Sequence, residues 1–260
     1  MDPWDHIRRA CADTRSGSLD IAVRASLGIA AMSDRREVGR AARALVRAHP
    51  AMAPLWRLCA AALDGASIAA AAEAYADRLV AESEAAADAL RWVLTRRSAI
   101  VLTHSASGTV ARALDRVRSR VALVVCTASL PGGEGRTFAR RLQRDGFHTE
   151  TIADAETAAA CRRAHIVLVG ADAVSVDGVV NKVGTRPLAL AAQEADVGCY
   201  AIAPTSKVLP FTPEAPHYET TPLHLFDAIL TERGPQRPAA IKRAAARIEL
   251  PPVLGRLVRT

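Results

Sequence analysis

The chain has 260 residues, enough for one large domain or two smaller ones, and half of them are hydrophobic, so a sizeable core can form. Aromatics make up only 4%, which favours Ala-rich helices and a tight α/β core over an aromatic-lined surface. The formal charge of +7, from 34 Lys+Arg against 27 Asp+Glu, is spread along helical stretches such as "DRREVGRAARALVRAH" and reads as solvated helix faces; no basic run is read as interleaved with aromatics, so nucleic acid is not expected as a partner.

Residues 1–95 read as helical. In "DTRSGSLDIAVRASLGIAAM", Ser18 is the expected N-cap, and Ile21, Ala22, Ala25, Ile29 and Met32 share one face. "REVGRAARALVRAHP" stops at Pro50, and "APLWRLCAAALDG" at Gly65. Ile68, Tyr75, Leu79, Ala86, Leu90 and Leu94 predict one long amphipathic helix from Ala66 to Thr95. The start "MDPWDHIRRACADTR" has no apolar leader, and no apolar run approaches 18 residues, so a soluble, cytoplasmic protein without a membrane partner is expected. The five cysteines (11, 59, 126, 161 and 199) are scattered, odd in number and free of C-x-x-C, which speaks against a disulfide framework or a metal site.

From Arg96 the texture changes. "AIVLTH", "VALVVCT", "HTETIA", "HIVLVGAD" and "GCYAIAP" are short and rich in β-branched residues, and helical patterns separate most of them. Such alternation predicts parallel strands with crossover helices, a doubly wound α/β sheet over 96–260. The tail from Lys207 is expected to hold one more helix, "PLHLFDAILTERG".

Ligands of such sheets bind beyond the carboxyl ends of the strands. Three strand ends carry suggestive loops: "THSASG", with His104, Ser105, Ser107 and Gly108; "CTASLPGGEGR"; and "GADAVSVDGVVNKVGTRPLAL". Each runs into a helix N-terminus, where free N–H groups and the helix dipole favour an anion. Gly184 and Thr185 cap the last of these helices, and Lys182 and Lys207 add positive charge. The combination suggests a pocket for a phosphorylated small molecule, with no cofactor. Asp172, flanked by apolar runs, suits either a general acid/base or a carboxylate that caps a loop or pairs with Lys182. The G-x-S-x-G, G-x-G-x-x-G and P-loop patterns are absent.

The stretch "GADAVSVDGVVNKVGTRPLALAAQEADVGCYAIAPTSK" resembles the signature of the initiation factor 2B alpha/beta/delta-like superfamily. Its enzyme relatives are methylthioribose-1-phosphate isomerase and ribose-1,5-bisphosphate isomerase. "SGSLDIAVRASLGI", "IVLTH", "EGRTFARRLQRDG" and "LFDAILTERG" extend the likeness along the chain. The resemblance implies a helical N-terminal domain followed by a Rossmann-like doubly wound parallel sheet, assembled as a homo-oligomer, a dimer or hexamer. It implies a phosphorylated ribose-type ligand, and in the isomerases the interconversion of an aldose 1-phosphate and a ketose 1-phosphate. Asp172 takes the place of the family's proton-moving Asp, and Asn181 and Lys182 that of its ligand-contacting pair. The family's catalytic Cys is replaced by Ser105, a poor proton shuttle, as in the regulatory subunits. Where the family carries a phosphate-binding Arg, "CTASLPGG" has none; Arg136 is the nearest in sequence.

Overall fold

In the computed structural model, which describes residues 2–257, everything before Ala99 is helix or loop. The helices are α1 (Pro3–Ala12), α2 (Ser18–Ala30), α3 (Arg35–Ala48), α4 (Ala53–Asp64), α5 (Ile68–Asp88) and α6 (Leu90–Val93). Asp34 and Ser67 accept N–H bonds as caps of α3 and α5, and Pro3 and Pro54 sit in first turns that need no donor. Two expectations change here. The long helix predicted to Thr95 ends at Asp88, and the short α6 follows Ala89. Ser18 is the first helical residue instead of the cap, which is Gly17; the buried Ser18 hydroxyl is turned to Asp172.

Strands and helices then alternate: β1 (Ala99–Thr103), α7 (Gly108–Arg116), β2 (Val121–Thr127), α8 (Glu134–Arg144), β3 (Thr149–Ile152), α9 (Thr157–Cys161), β4 (Ile166–Gly170), β5 (Ala173–Val174), β6 (Gly178–Lys182), α10 (Thr185–Glu194), β7 (Cys199–Ile202), β8 (Tyr218–Pro222), β9 (Ala228–Thr231), β10 (Gly234–Gln236), α11 (Pro238–Ala245) and α12 (Pro252–Gly255). The main sheet has the order β10-β9-β7-β4-β1-β2-β3, parallel except for β10. The fully buried run of β4 and the mostly buried β1 are what a sheet covered on both faces requires.

A second, antiparallel sheet, β5-β6-β8, was not anticipated; it forms from the stretch read as a strand-end loop. Its "SVDG" turn joins β5 to β6. The helix expected in "PLHLFDAILTERG" is instead a 3-10 turn at Leu223–Leu225, strand β9 and the start of a hairpin. Buried on both faces, "AILT" has no alternation to separate strand from helix.

Ala173, Val180 and Leu209 belong to the core of the helical half, so the helices pack on the small sheet. The Ala53 N–H at the start of α4 donates to the Asp172 carbonyl at 3.0 Å, which fastens that half to the loop after β4. Among the described residues no helix is long and apolar enough to cross a membrane.

Candidate functional site

From β1 the chain winds outward to β2 and β3, then returns to place β4 on the other side of β1. The loops leaving β1 and β4 therefore diverge, and the crevice between them is the binding position of an open α/β sheet. A small pocket, partly open to solvent, occupies it. Its walls are the first turn of α2 (Ser18 to Asp20), the β1–α7 loop with Arg112, Gly170 to Asp172, Asn181, and Lys207.

Two helix starts meet here. The α2 start has no side-chain cap, so first-turn N–H groups are free for a ligand. Ser107 caps α7 through Val110 N–H at 3.2 Å, and the Arg112 guanidinium lies over Gly108, held from behind by Glu84 at 2.7 Å. Both dipoles and the guanidinium favour negative charge. Gly170 permits the close approach of β4: a Cβ there would stand 2.6 Å from Ser107 Oγ. Ser107→Ala should cost about 1 kcal/mol through the lost cap, read as a lower urea midpoint, and should weaken anion binding as well.

Asp172 keeps a small exposed face but is otherwise surrounded by protein. Burial raises its carboxyl above the ordinary value, while the Lys207 charge and the Ser18 hydrogen bond pull the other way. Lys207 is only 4% exposed and donates to the Ala171 carbonyl at 2.6 Å. Burial pushes its ammonium down, against the pull of Asp172. The pocket thus holds an acid and a base that burial drives toward neutrality and that an anionic ligand would recharge on the Lys207 side.

Of the residues singled out by sequence, Asp172, Ser107, Gly108, Asn181 and Lys207 line this pocket, and the others do not. Lys182 donates to Glu134 Oε1 at 2.8 Å and to the Pro131 carbonyl at 2.7 Å, so Glu134, not Asp172, is its carboxylate partner. Arg136 is exposed on α8. Ser105 has φ 65, and its N–H donates to Ser129 Oγ at 2.7 Å. His104 is buried with both ring nitrogens engaged: Nε2 meets the Val183 carbonyl at 2.8 Å, and Nδ1 meets Thr127 Oγ1 at 2.6 Å. A carbonyl only accepts, so Nε2 carries the hydrogen and Nδ1 accepts from Thr127; burial holds the ring neutral. Thr185 donates to the Lys182 carbonyl at 2.7 Å and receives Asn181 Nδ2 at 3.2 Å. Gly184 packs on His104. Cys126, weighed as a substitute thiol, is buried and its thiol is pushed up to about 12.

Sequence reasoning passed over Asp20 and Arg112, and took Ser18 only as a helix cap. The start of α2 was expected to be capped by Ser18 and is instead uncapped, and nothing local tells which strand end it will face.

A helical layer on a doubly wound sheet, with a pocket at the switch point, defines a Rossmann-like α/β class of protein. The family model described as "Initiation factor 2 subunit family" matches residues 16–216, and the chain belongs to that family. It is 41% identical over 114 residues to a translation initiation factor eIF-2B subunit 2-like protein of Pyrococcus horikoshii, covering 43% of this chain and 41% of that protein. It is 32% identical over 139 residues to the ribose 1,5-bisphosphate isomerase of Methanocaldococcus jannaschii, covering 43% and 45%. These matches span less than half the length of either relative. The crystal structure of the Pyrococcus horikoshii OT3 translation initiation factor eIF-2B superposes with a TM-score of 0.81 at 25% identity, over 92% of this chain and 98% of that one.

Proposed function

We propose that this chain binds a phosphorylated ribose-type ligand in the switch-point pocket and acts as a sensor or regulatory subunit, signalling through contacts in a cytoplasmic homo-oligomer. The observation that carries the reading is the convergence of two helix first turns, Arg112 and Lys207 around Asp172. Phosphate would sit on the α7 start against Arg112 and Lys207, and Asp172 and Asn181 would take ribose hydroxyls.

Turnover of an aldose phosphate to a ketose phosphate moves protons between two carbons and two oxygens, and one carboxyl rarely serves every step. Asp172 is suited to hold a proton. Ser105 is off the lining, His104 is neutral and tied at both nitrogens, and Cys126 is buried. None of these three residues, weighed as stand-ins for the family's thiol, faces the pocket, which supports binding without turnover; Asp20, Arg112 and Lys207 are the other titratable groups on its lining. The raised Asp172 carboxyl favours the isomerase as the second reading.

Phosphorus NMR with ribose 1,5-bisphosphate separates the two. Broadened ligand resonances without new signals are expected with wild type, and Asp172→Asn should weaken binding about tenfold or more, as for the loss of a hydrogen bond to a charged group. Formation of the ketose bisphosphate by wild type but not by Asp172→Asn would establish the isomerase instead. Resonances unchanged by either protein would remove this ligand.

A further inference from the structure

The two helix starts that meet at the pocket are not alike. At α7 the Ser107 cap takes only the Val110 N–H, and the Gly108 and Thr109 N–H groups have no partner among the described residues. No acid stands in the first turn of α7, and Arg112 Nη1 lies over Gly108. At α2 the Ser18, Leu19 and Asp20 N–H groups are equally free among the described residues. That first turn, however, carries Asp20, which stands on the pocket wall. Asp20 is exposed, and its carboxylate makes no hydrogen bond or ion pair among the described residues. Arg24, four residues further along α2 and its natural helical partner, is paired with Asp13 instead.

Charge then separates the two starts. A helix N-terminus is equivalent to about +0.5 charge. The α7 start, Arg112 and a charged Lys207 together offer about +2.5, enough for one phosphate monoester at about −2. Glu84 does not cancel Arg112, because it is shared with Arg116. The α2 start with Asp20 comes to about −0.5. A second phosphate placed there would meet a full negative charge. No other cation serves it: Lys182 is held by Glu134 and the Pro131 carbonyl, and Arg136 is off the lining.

We propose, on the reading of a phosphorylated ribose-type ligand in this pocket, that Asp20 is a specificity residue that restricts the ligand to one phosphate, seated on α7, and gives the α2 start to sugar hydroxyls. The α2 wall offers donors, its free N–H groups, beside an acceptor, the Asp20 carboxylate. A hydroxyl both donates and accepts and so satisfies both. A phosphate dianion only accepts, and leaves the carboxylate facing it unpaired. An acid in a first turn also steadies its own helix, a role that would leave ligand preference unchanged.

Isothermal titration calorimetry of the full chain with ribose 1-phosphate, ribose 5-phosphate and ribose 1,5-bisphosphate near neutral pH tests this. Wild type should bind the better monophosphate at least as tightly as the bisphosphate. Asp20→Asn should bind the bisphosphate about tenfold more tightly, because a unit charge facing one phosphate is gone, and the monophosphates within about threefold of wild type. The monophosphates change little because Asp20 also helps to keep Lys207 charged, so its loss weakens the α7 seat while relieving repulsion. The position is exposed and Asn suits a helix start, so the variant should fold, and its urea midpoint reads the helix-steadying role separately. A bisphosphate bound by wild type more tightly than both monophosphates would overturn the proposal. So would the same change for all three ligands in Asp20→Asn, the result of a carboxylate that serves only its helix. Monophosphates that bind, with no gain for the bisphosphate in the variant, would remove the Asp20 role and leave the pocket reading standing. If none of the three ligands binds either protein, the pocket reading falls and the proposal with it.

Discussion

Lys207→Met is expected to destabilise the protein by about 3 kcal/mol and to abolish anion binding. The ammonium is buried, it satisfies the Ala171 carbonyl at 2.6 Å, and its charge is the largest influence offsetting burial at Asp172. Removing one member of a buried charged set leaves the other uncompensated, at about 3–5 kcal/mol where the two touch. No ion pair of 4.0 Å or less joins Lys207 to Asp172 among the described residues, so the lower end applies. Asp172→Asn in the same chain should recover part of the loss, with a coupling of about 1–2 kcal/mol. Equal and additive effects in urea denaturation would separate the two residues.

The same pair sets a pH dependence. A carboxyl whose folded value is raised lends its stability below the unfolded value and loses it as pH climbs through the folded one. Asp172 is raised above 3.8. Wild type should therefore lose stability relative to Asp172→Asn as pH rises from about 4, and the gap seen near neutrality should close below 3.8. Parallel urea midpoints for the two proteins from pH 3 to 8 would contradict the burial argument.

Gly184→Ala should be strongly destabilising, at about 2–5 kcal/mol. Gly184 has φ 102, and a Cβ would fall 2.6 Å from His104 Cε1. The imidazole cannot swing aside, because Val183 and Thr127 hold both of its nitrogens. Left-handed backbone costs about 1–2 kcal/mol for a residue with a Cβ, and forced overpacking adds about 1–3. Gly133→Ala is the natural control: φ is 74 but nothing lies within 4 Å of the added carbon. It should show the backbone cost alone, about 1–2 kcal/mol. Matching losses at the two positions, read from urea midpoints, would show that His104 yields.

Much of the architecture was legible before any coordinates. Short β-branched runs separated by helical patterns determine a doubly wound sheet, because strand and helix periodicities are local properties of the chain. The positions of β1, β2, β4 and β7 follow directly, as does the helical stretch before Arg96. Asp172 stood out by the same logic, as an acid set straight after a buried strand. Strand β9 escaped because an apolar run buried on both faces carries no period. The β5-β6-β8 sheet escaped because its pairing partner, β8, lies more than thirty residues beyond β6.

The assignment of side chains to partners was decided only by tertiary structure. Lys182 and Asn181 are neighbours in sequence, yet alternation along β6 sends one to Glu134 and leaves the other on the pocket. Lys207 and the first turn of α2 come from opposite ends of the chain and meet at Asp172. The sequence by itself determined the helical half and strands β1, β2, β4 and β7, since these follow from local patterning. Which charges face the pocket, and which face water, depended on the elements packed across from each of them.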